Sequence, residues 1–232
     1  MKSVDMDIRT RTEQELQPFI EMAETLGYSA ILSGCTTDAI TTRESPVQVY
    51  RRHNLKSKKL SELKAQVSKI HGKYALVSAP LLEVDTANWV AEDSRVHLLT
   101  VDITGKNILR KTTAGLCASH GTALEVPIAS LLDANGLNRS RIIKAIRDCV
   151  TTATRANMKV VLSSGANTPV RMRSPVALFH IGMLLGLEEN QAKEAILSTP
   201  SAILKENLKR LDGTQLRSGL EIIRNGEENE SE

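Results

Sequence analysis

The chain of 232 residues is poor in aromatic side chains: two Phe, three Tyr and one Trp. Proteins that grip single-stranded nucleic acid stack bases on aromatic rings, and little is available here to build such a platform. The three cysteines, Cys35, Cys117 and Cys149, are scattered and odd in number. That fits neither a disulfide framework nor a zinc spacing, and reads as reduced thiols in a cytoplasmic protein. No apolar run approaches the roughly 18 residues of a membrane helix, and the opening MKSVDMDIRTRTEQELQ holds no apolar segment of the secretory kind. None of the five histidines, His53, His71, His97, His120 and His180, forms an H-x-H or H-x-x-x-H pair. The G-x-S-x-G elbow of serine hydrolases and the GxxxxGK[ST] phosphate loop are also missing.

What is present is an ordinary globular composition, 41% hydrophobic and 25% charged, on a chain long enough to bury a full core. The formal net charge is +3, but the last seven residues, GEENESE, carry four acids and no base. Without them the charge rises to +7 for residues 1–225. Residues 226–232 therefore read as a solvated, disordered acidic tail on a single domain spanning 1–225. A body this basic permits binding to a polyanion. With so few aromatics, phosphate and shape contacts to a folded nucleic acid are the expected mode.

Punctuation alternates from the start. Ser3–Ile8 reads as a strand, and Thr12 with Glu15 as a capping box. Leu16, Phe19, Ile20, Ala23 and Leu26 recur at helical spacing up to Gly27. Further strands fall at 28–33, 47–52, 74–79, 96–101, 123–128 and 159–163, with helices at 60–70, 86–91 and 138–156 between them. Strands joined by helices of crossover length argue for a parallel sheet covered by helices. About seven strands in some 165 residues fit a closed, TIM-like α/β barrel. Past Ser163 the pattern turns helical, with helices expected at 175–186, 188–198, 200–211 and 214–224. Ser174-Pro175 supplies an N-cap followed by proline at the first helical position.

Function in such barrels gathers at the C-terminal ends of the strands. There the sequence places Asp7, Arg9, Asp102, Glu125 and the loop 164–173. Some barrel metallohydrolases open with D-x-H-x-H-T, whereas this chain has DMDIRT, with Asp7 and Arg9 at the histidine positions. Arginine cannot ligate a metal, and its permanent charge repels one. Asp7, Arg9 and Glu125 are expected to form an ion-pair cluster at the barrel mouth. The competing reading is a metal-dependent phosphoesterase using Asp7, Asp102, Glu125 and a histidine.

Cations cluster elsewhere. RRHNLKSKK, residues 51–59, holds Arg51, Arg52, Lys56, Lys58 and Lys59. Arg110 and Lys111 form a pair, and Arg171 and Arg173 stand just before a helix N-terminus, where backbone N–H groups favour anions. On the helix of 138–156, Arg141, Lys144, Arg147 and Arg155 project opposite the apolar stripe Ile142, Ile143, Ile146, Val150 and Ala153. Each alone reads as a solvated face; their recurrence on several elements reads as a surface for a nucleic-acid backbone.

Two stretches, LRKTTAGLCASHGTALEVP at 109–127 and VLSSGANTPVRMRSPV at 161–176, together with MDIR near the start, resemble the protein component 3 family of archaeal ribonuclease P. The eukaryotic counterpart of that family is the thirty-kilodalton subunit. The resemblance runs in order from about residue 3 to about residue 211. It implies a TIM-like barrel related to the polymerase-and-histidinol-phosphatase metallohydrolases, with their metal-binding histidines lost. It also implies a protein subunit of the endoribonuclease that removes the 5′ leader from precursor tRNA. Catalysis there belongs to the RNA subunit through bound magnesium, and no cofactor belongs to the protein itself. Protein component 2, other protein subunits and precursor tRNA follow as partners. The implied RNA contacts are Arg110, Lys111, His120, Arg171 and Arg173, no residue of the chain being catalytic. Lys144, Arg147 and the basics of 51–59 join them on charge alone.

Overall fold

The computed structural model describes residues 3–35, 40–41, 45–57, 59–70, 72–101, 109–213, 215–217 and 220–221. Asp102, Lys58, His71 and the acidic tail lie outside the described residues. Seven strands run parallel in the order β1 (Ser3–Ile8), β2 (Tyr28–Ser33), β4 (Gln48–Asn54), β5 (Leu76–Pro80), β6 (Leu98–Thr100), β7 (Ala123–Pro127) and β8 (Val160–Ser163). A two-residue strand, β3 (Ile40–Thr41), pairs antiparallel with β4. The ring closes where β8 returns to β1. No continuous ladder joins those two strands; the contact is a parallel bridge between Ile8 and Ala166, with Arg9 N donating to Ala166 O at 2.8 Å. This is the expected TIM-like barrel, nearly closed.

The helices are α1 (Leu16–Thr25), α2 (Leu60–Ile70), α3 (Val84–Glu92), α4 (Lys111–His120), α5 (Ala129–Asp133), α6 (Gly136–Arg155), α7 (Pro175–Leu184), α8 (Glu189–Lys193) and α9 (Thr199–Leu211). Helices α1 and α6 bury their apolar stripes: Leu16, Phe19, Ile20 and Ala23 from α1, and Ile146, Cys149, Val150 and Ala153 from α6. Burying each large apolar side chain contributes about 1.5–3 kcal/mol. Inside the barrel, Met6, Leu32, Leu76, Leu98, Ala123 and Val161 form a second apolar layer, and Leu204 of α9 packs on it. Asn207 of α9 donates to Ala75 O at 3.0 Å, just ahead of β5. Helix α9 thus plugs the N-terminal end of the barrel and leaves the C-terminal end as the open mouth.

Two local expectations are corrected. The Thr12/Glu15 capping box does not form: Glu13–Glu15 is a 3-10 turn, Thr12 makes no side-chain cap, and Glu15 Oε2 accepts from Arg11 N at 2.9 Å. The tighter turn moves Glu15 away from the α-helical third position that the box requires. The helix expected at 214–224 is also absent from the described residues, which form an antiparallel pair, β9 (Gln215–Arg217) and β10 (Leu220–Glu221). Gly213, at φ +69°, terminates α9 before it can continue. The helices expected at 188–198 and 200–211 join through a π-helical stretch at Glu194–Ser198. Pro200, which lacks an N–H, follows that widened turn within the first turn of α9.

Candidate functional site: the barrel centre and its basic surroundings

Above the apolar layer the barrel centre is polar. Arg52 stands at its middle, 2% exposed. Its Nη1 donates to Met6 O at 2.5 Å and to Glu125 Oε1 at 2.6 Å. Its Nη2 donates to Ser78 Oγ at 3.0 Å and to Glu125 Oε2 at 2.6 Å. Its Nε donates to Asn54 Oδ1 at 2.5 Å. All five guanidinium donors are therefore used. Glu125 takes two more bonds, from Ser163 Oγ at 2.9 Å and Thr100 Oγ at 2.7 Å. Asp7 lies alongside, with Oδ1 3.7 Å from Arg52 Nε and Oδ2 2.8 Å from Arg9 Nη2.

The electrostatics follow from that geometry. Burial alone would raise the Glu125 carboxyl, but Arg52 outweighs it and the net shift is downward. Burial alone would lower the Arg52 guanidinium, but Asp7 and Glu125 outweigh it and the net shift is upward. Both groups therefore stay charged, each held so by the other in the buried centre. The cation that bridges these carboxylates is a side chain. No valence of Arg52 or Glu125 is left to take a metal ion or activate a water molecule. Among the described residues no group of three or more His, Cys, Asp or Glu is arranged to hold a metal. His97 faces the backbone instead, with Nδ1 accepting from Val77 N at 3.0 Å, and burial pulls it down to about 3.

The expected ion-pair cluster exists with a different centre. Asp7 and Arg9 pair as foreseen, but the partner of Glu125 is Arg52. Arg52, assigned to the RNA-facing run 51–59, is the one basic residue of that run buried among the described residues. Strand alternation carried the signal: Tyr50, Arg52 and Asn54 share the inward face of β4, as Ala123 and Glu125 do on β7. A cavity of about 620 Å³ opens above, lined in part by Arg9, Cys35, Asn54, Lys56 and Ser130.

The segment after β8 shows how closely the chain is fitted here. Ser163 bonds Glu125. Ser164 N donates to Asp5 Oδ1 at 3.0 Å. Gly165 has φ +61°, and a Cβ there would lie 2.8 Å from Pro127 Cβ; only glycine fits without displacement. Ala166 makes the bridge to β1. Ser174 then caps α7, its Oγ accepting from Ala177 N at 3.2 Å.

The other proposed contact residues, Lys58 aside, are spread over the outside. Arg110 is the N-cap residue of α4 and Lys111 its first residue, both exposed. His120, at the far end of α4, is exposed, and its Nδ1 donates to Leu116 O at 2.9 Å. Arg171 pairs with Asp133, and Arg173 donates to the carbonyls of Val170 and Met172 at 2.9 and 2.8 Å. Lys144 and Arg147 are exposed on α6. Arg51 lies 4.4 Å from the centre of the Tyr74 ring, Lys56 is exposed at the mouth, and Lys59 pairs loosely with Glu62 at 3.6 Å. The structure groups them as local pairs, Arg110 with Lys111 at the start of α4, Lys144 with Arg147 one turn apart on α6, and Arg171 with Arg173 before α7, and does not gather them into one cluster among the described residues. Missed by the sequence reading was Asp5, whose carboxylate ties Ser164 into place.

These features define a class: a TIM-like barrel whose polar centre is closed by an internal arginine–glutamate pair. Within that class, the chain belongs to the RNase P subunit p30 family, whose model matches residues 2–212. It is 28% identical over 223 residues to ribonuclease P protein component 3 of Methanosarcina barkeri, spanning 93% of this chain and 92% of that protein. It is 26% identical over 143 residues to ribonuclease P protein subunit drpp30 of Dictyostelium discoideum, 60% of this chain and 38% of that one. A chain from a cryo-EM structure of archaeal ribonuclease P with mature tRNA superposes with a TM-score of 0.76 at 20% identity, covering 96% of this chain and all of that one. That likeness is one of fold. Among the described residues no helix is long and apolar enough to cross a membrane.

Proposed function

We propose that the chain acts as a protein subunit of ribonuclease P, supporting an RNA that removes the 5′ leader from precursor tRNA. The RNA supplies the catalysis and holds the magnesium. The chain contributes a scaffold and phosphate contacts, working beside protein component 2 and the other protein subunits in the cytoplasm. The observation that carries this division of labour is the closed centre. In a barrel of this kind the chemistry would sit at the mouth, and there Arg52 and Glu125 saturate one another.

Support for RNA contact comes from the exposed cations on α4 and α6 and on the turn before α7, with Arg110, Lys111, Lys144, Arg147, Arg171 and Arg173 as the contact set. His120, Arg51, Lys56 and Lys59 extend it at the edges, and Lys58 is carried by its charge alone. Support for a protein partner comes from α7. That helix holds no charged residue, and Val176, Met183 and Leu184 on it are exposed. A surface helix normally turns a polar face outward, and apolar faces of this sort mark protein contacts.

Reconstitution tests the reading. The chain, component 2, the remaining protein subunits and the RNA subunit together should cleave precursor tRNA at the 5′ leader. Omitting the RNA, or digesting it beforehand, should abolish cleavage, and the purified chain alone should hydrolyse no phosphoester. Hydrolysis by the chain alone that disappears in Asp7→Asn would overturn the assignment in favour of the phosphoesterase.

A further inference from the structure

We propose that Asp5, Ser164 and Tyr28 form a buried clamp that positions the turn carrying Arg171 and Arg173 for contact with RNA phosphates. The inference rests on the ribonuclease P reading above. It starts from the seam of the barrel. Between β8 and β1 the main-chain contact is confined to the Ile8–Ala166 bridge and one neighbouring hydrogen bond. Below that point Ser164 N has no strand carbonyl to meet, and the Asp5 carboxylate accepts it instead. Ser164 then reaches forward: its Oγ accepts from Arg173 N at 3.4 Å. From the other side Tyr28, the first residue of β2, donates its hydroxyl to Arg173 O at 2.7 Å. Both main-chain groups of Arg173 are thus held by side chains rooted in β1, β2 and the end of β8.

The clamp is an expensive way to hold a turn. Asp5 is fully buried, and its Oδ2 has no hydrogen-bond partner. Removing a carboxylate from water carries a large desolvation cost, and an uncharged acceptor would satisfy Ser164 N equally well. What the network delivers is a fixed backbone at Arg173 and, two residues earlier, at Arg171, whose own side chain is braced against Asp133. A guanidinium on a fixed backbone loses less freedom on meeting a phosphate than one on a mobile loop. The clamp residues are positioning residues: they would touch no RNA themselves.

The experiment uses the purified chain, with the catalytic domain of the ribonuclease P RNA as probe. Tyr28→Phe removes one hydroxyl from the clamp and should leave the fold intact. In Tyr28→Phe, amide hydrogen exchange at residues 164–173 should speed up by about tenfold, with α6 unchanged. RNA affinity should fall severalfold, and the slope of affinity against salt should lose up to about one phosphate contact. Arg173→Ala should lose a similar slope. The double variant Tyr28→Phe/Arg173→Ala should lose little beyond Arg173→Ala, since both changes act through one contact. Asp5→Asn keeps an acceptor for Ser164 N and should hold the turn, while Asp5→Leu should release it. Unchanged exchange in Tyr28→Phe and Ser164→Ala, or additive losses in the double variant, would overturn the clamp. Loosened exchange with unaltered RNA binding, in Tyr28→Phe and Arg173→Ala alike, would leave the clamp standing as structure. It would overturn its positioning role by removing Arg173 from the RNA contacts.

Discussion

Arg52 and Arg173 are the same side chain under opposite conditions. Arg52 lies inside the barrel with five donors matched by five fixed acceptor contacts, two of them the oxygens of one carboxylate. Arg173 lies on the rim with its backbone clamped and its guanidinium resting on carbonyls three residues and one residue earlier. The first is committed to the fold. The second can exchange neutral carbonyls for an anion at small cost. A count of basic residues treats the two alike; what separates them is whether the surrounding structure already satisfies the charge.

The comparison can be broken most severely at Glu125. Glu125→Ala would strand Arg52 as an unpaired buried cation, and the expected loss is about 3–5 kcal/mol, read by urea unfolding. Replacing both partners, as Arg52→Met with Glu125→Leu, should recover much of that loss; recovery would show that the pair is a structural closure.

Asp5 offers the next effect, through pH. Burial pushes its carboxyl up to about 6 from the usual 3.8. The folded chain therefore holds a proton there that the unfolded chain has released. The resulting contribution is complete below about pH 4 and is lost as pH rises through about 6. It amounts to roughly 3 kcal/mol for a shift of this size. Glu125, shifted downward, works in the opposite sense and favours the fold as pH rises. Asp5→Asn should be more stable than wild type at pH 8 and gain little at pH 4. Thermal melts at the two pH values check this, and an equal shift at both would refute it.

At Gly165 the expected loss is smaller. Gly165→Ala meets Pro127 at a strained backbone angle and should cost about 1–3 kcal/mol, with the damage confined to the seam by hydrogen exchange. The smallest stability effect belongs to the outer surface. Lys144→Ala should change stability by no more than about 0.5 kcal/mol and reduce the salt dependence of RNA binding by about one contact. A stability loss like that of Glu125→Ala would place Lys144 with Arg52 and erase the contrast.

Much of this was legible beforehand because it is local. The bounds of β1 and β2 emerge from short runs such as YSAILS between turn residues, and α1 from its apolar spacing. The Ser174-Pro175 start of α7 follows from capping chemistry that involves only neighbouring residues. The capping box at Thr12 failed because its motif presumes an α-helical first turn. The helix expected at 214–224 is absent from the described residues because Gln215–Arg217 and Leu220–Glu221 pair with each other as strands.

The site divided in the same way. The chemistry in MDIR, HGTALE and SSGA…RSP was visible as residue types, and it was enough to foresee a barrel with an acidic and basic cluster at its mouth. Composition, the helical and strand periods and those motifs are properties of neighbouring residues, and the sequence by itself determined them. The choice of Arg52 over Arg9 as partner to Glu125 depends on strands 73 residues apart meeting across the barrel. The role of Asp5 depends on β8 arriving beside β1 after 159 residues, with a missing ladder bond for a carboxylate to replace. Only the tertiary structure decided those pairings, because a charge finds its partner through closure of the ring.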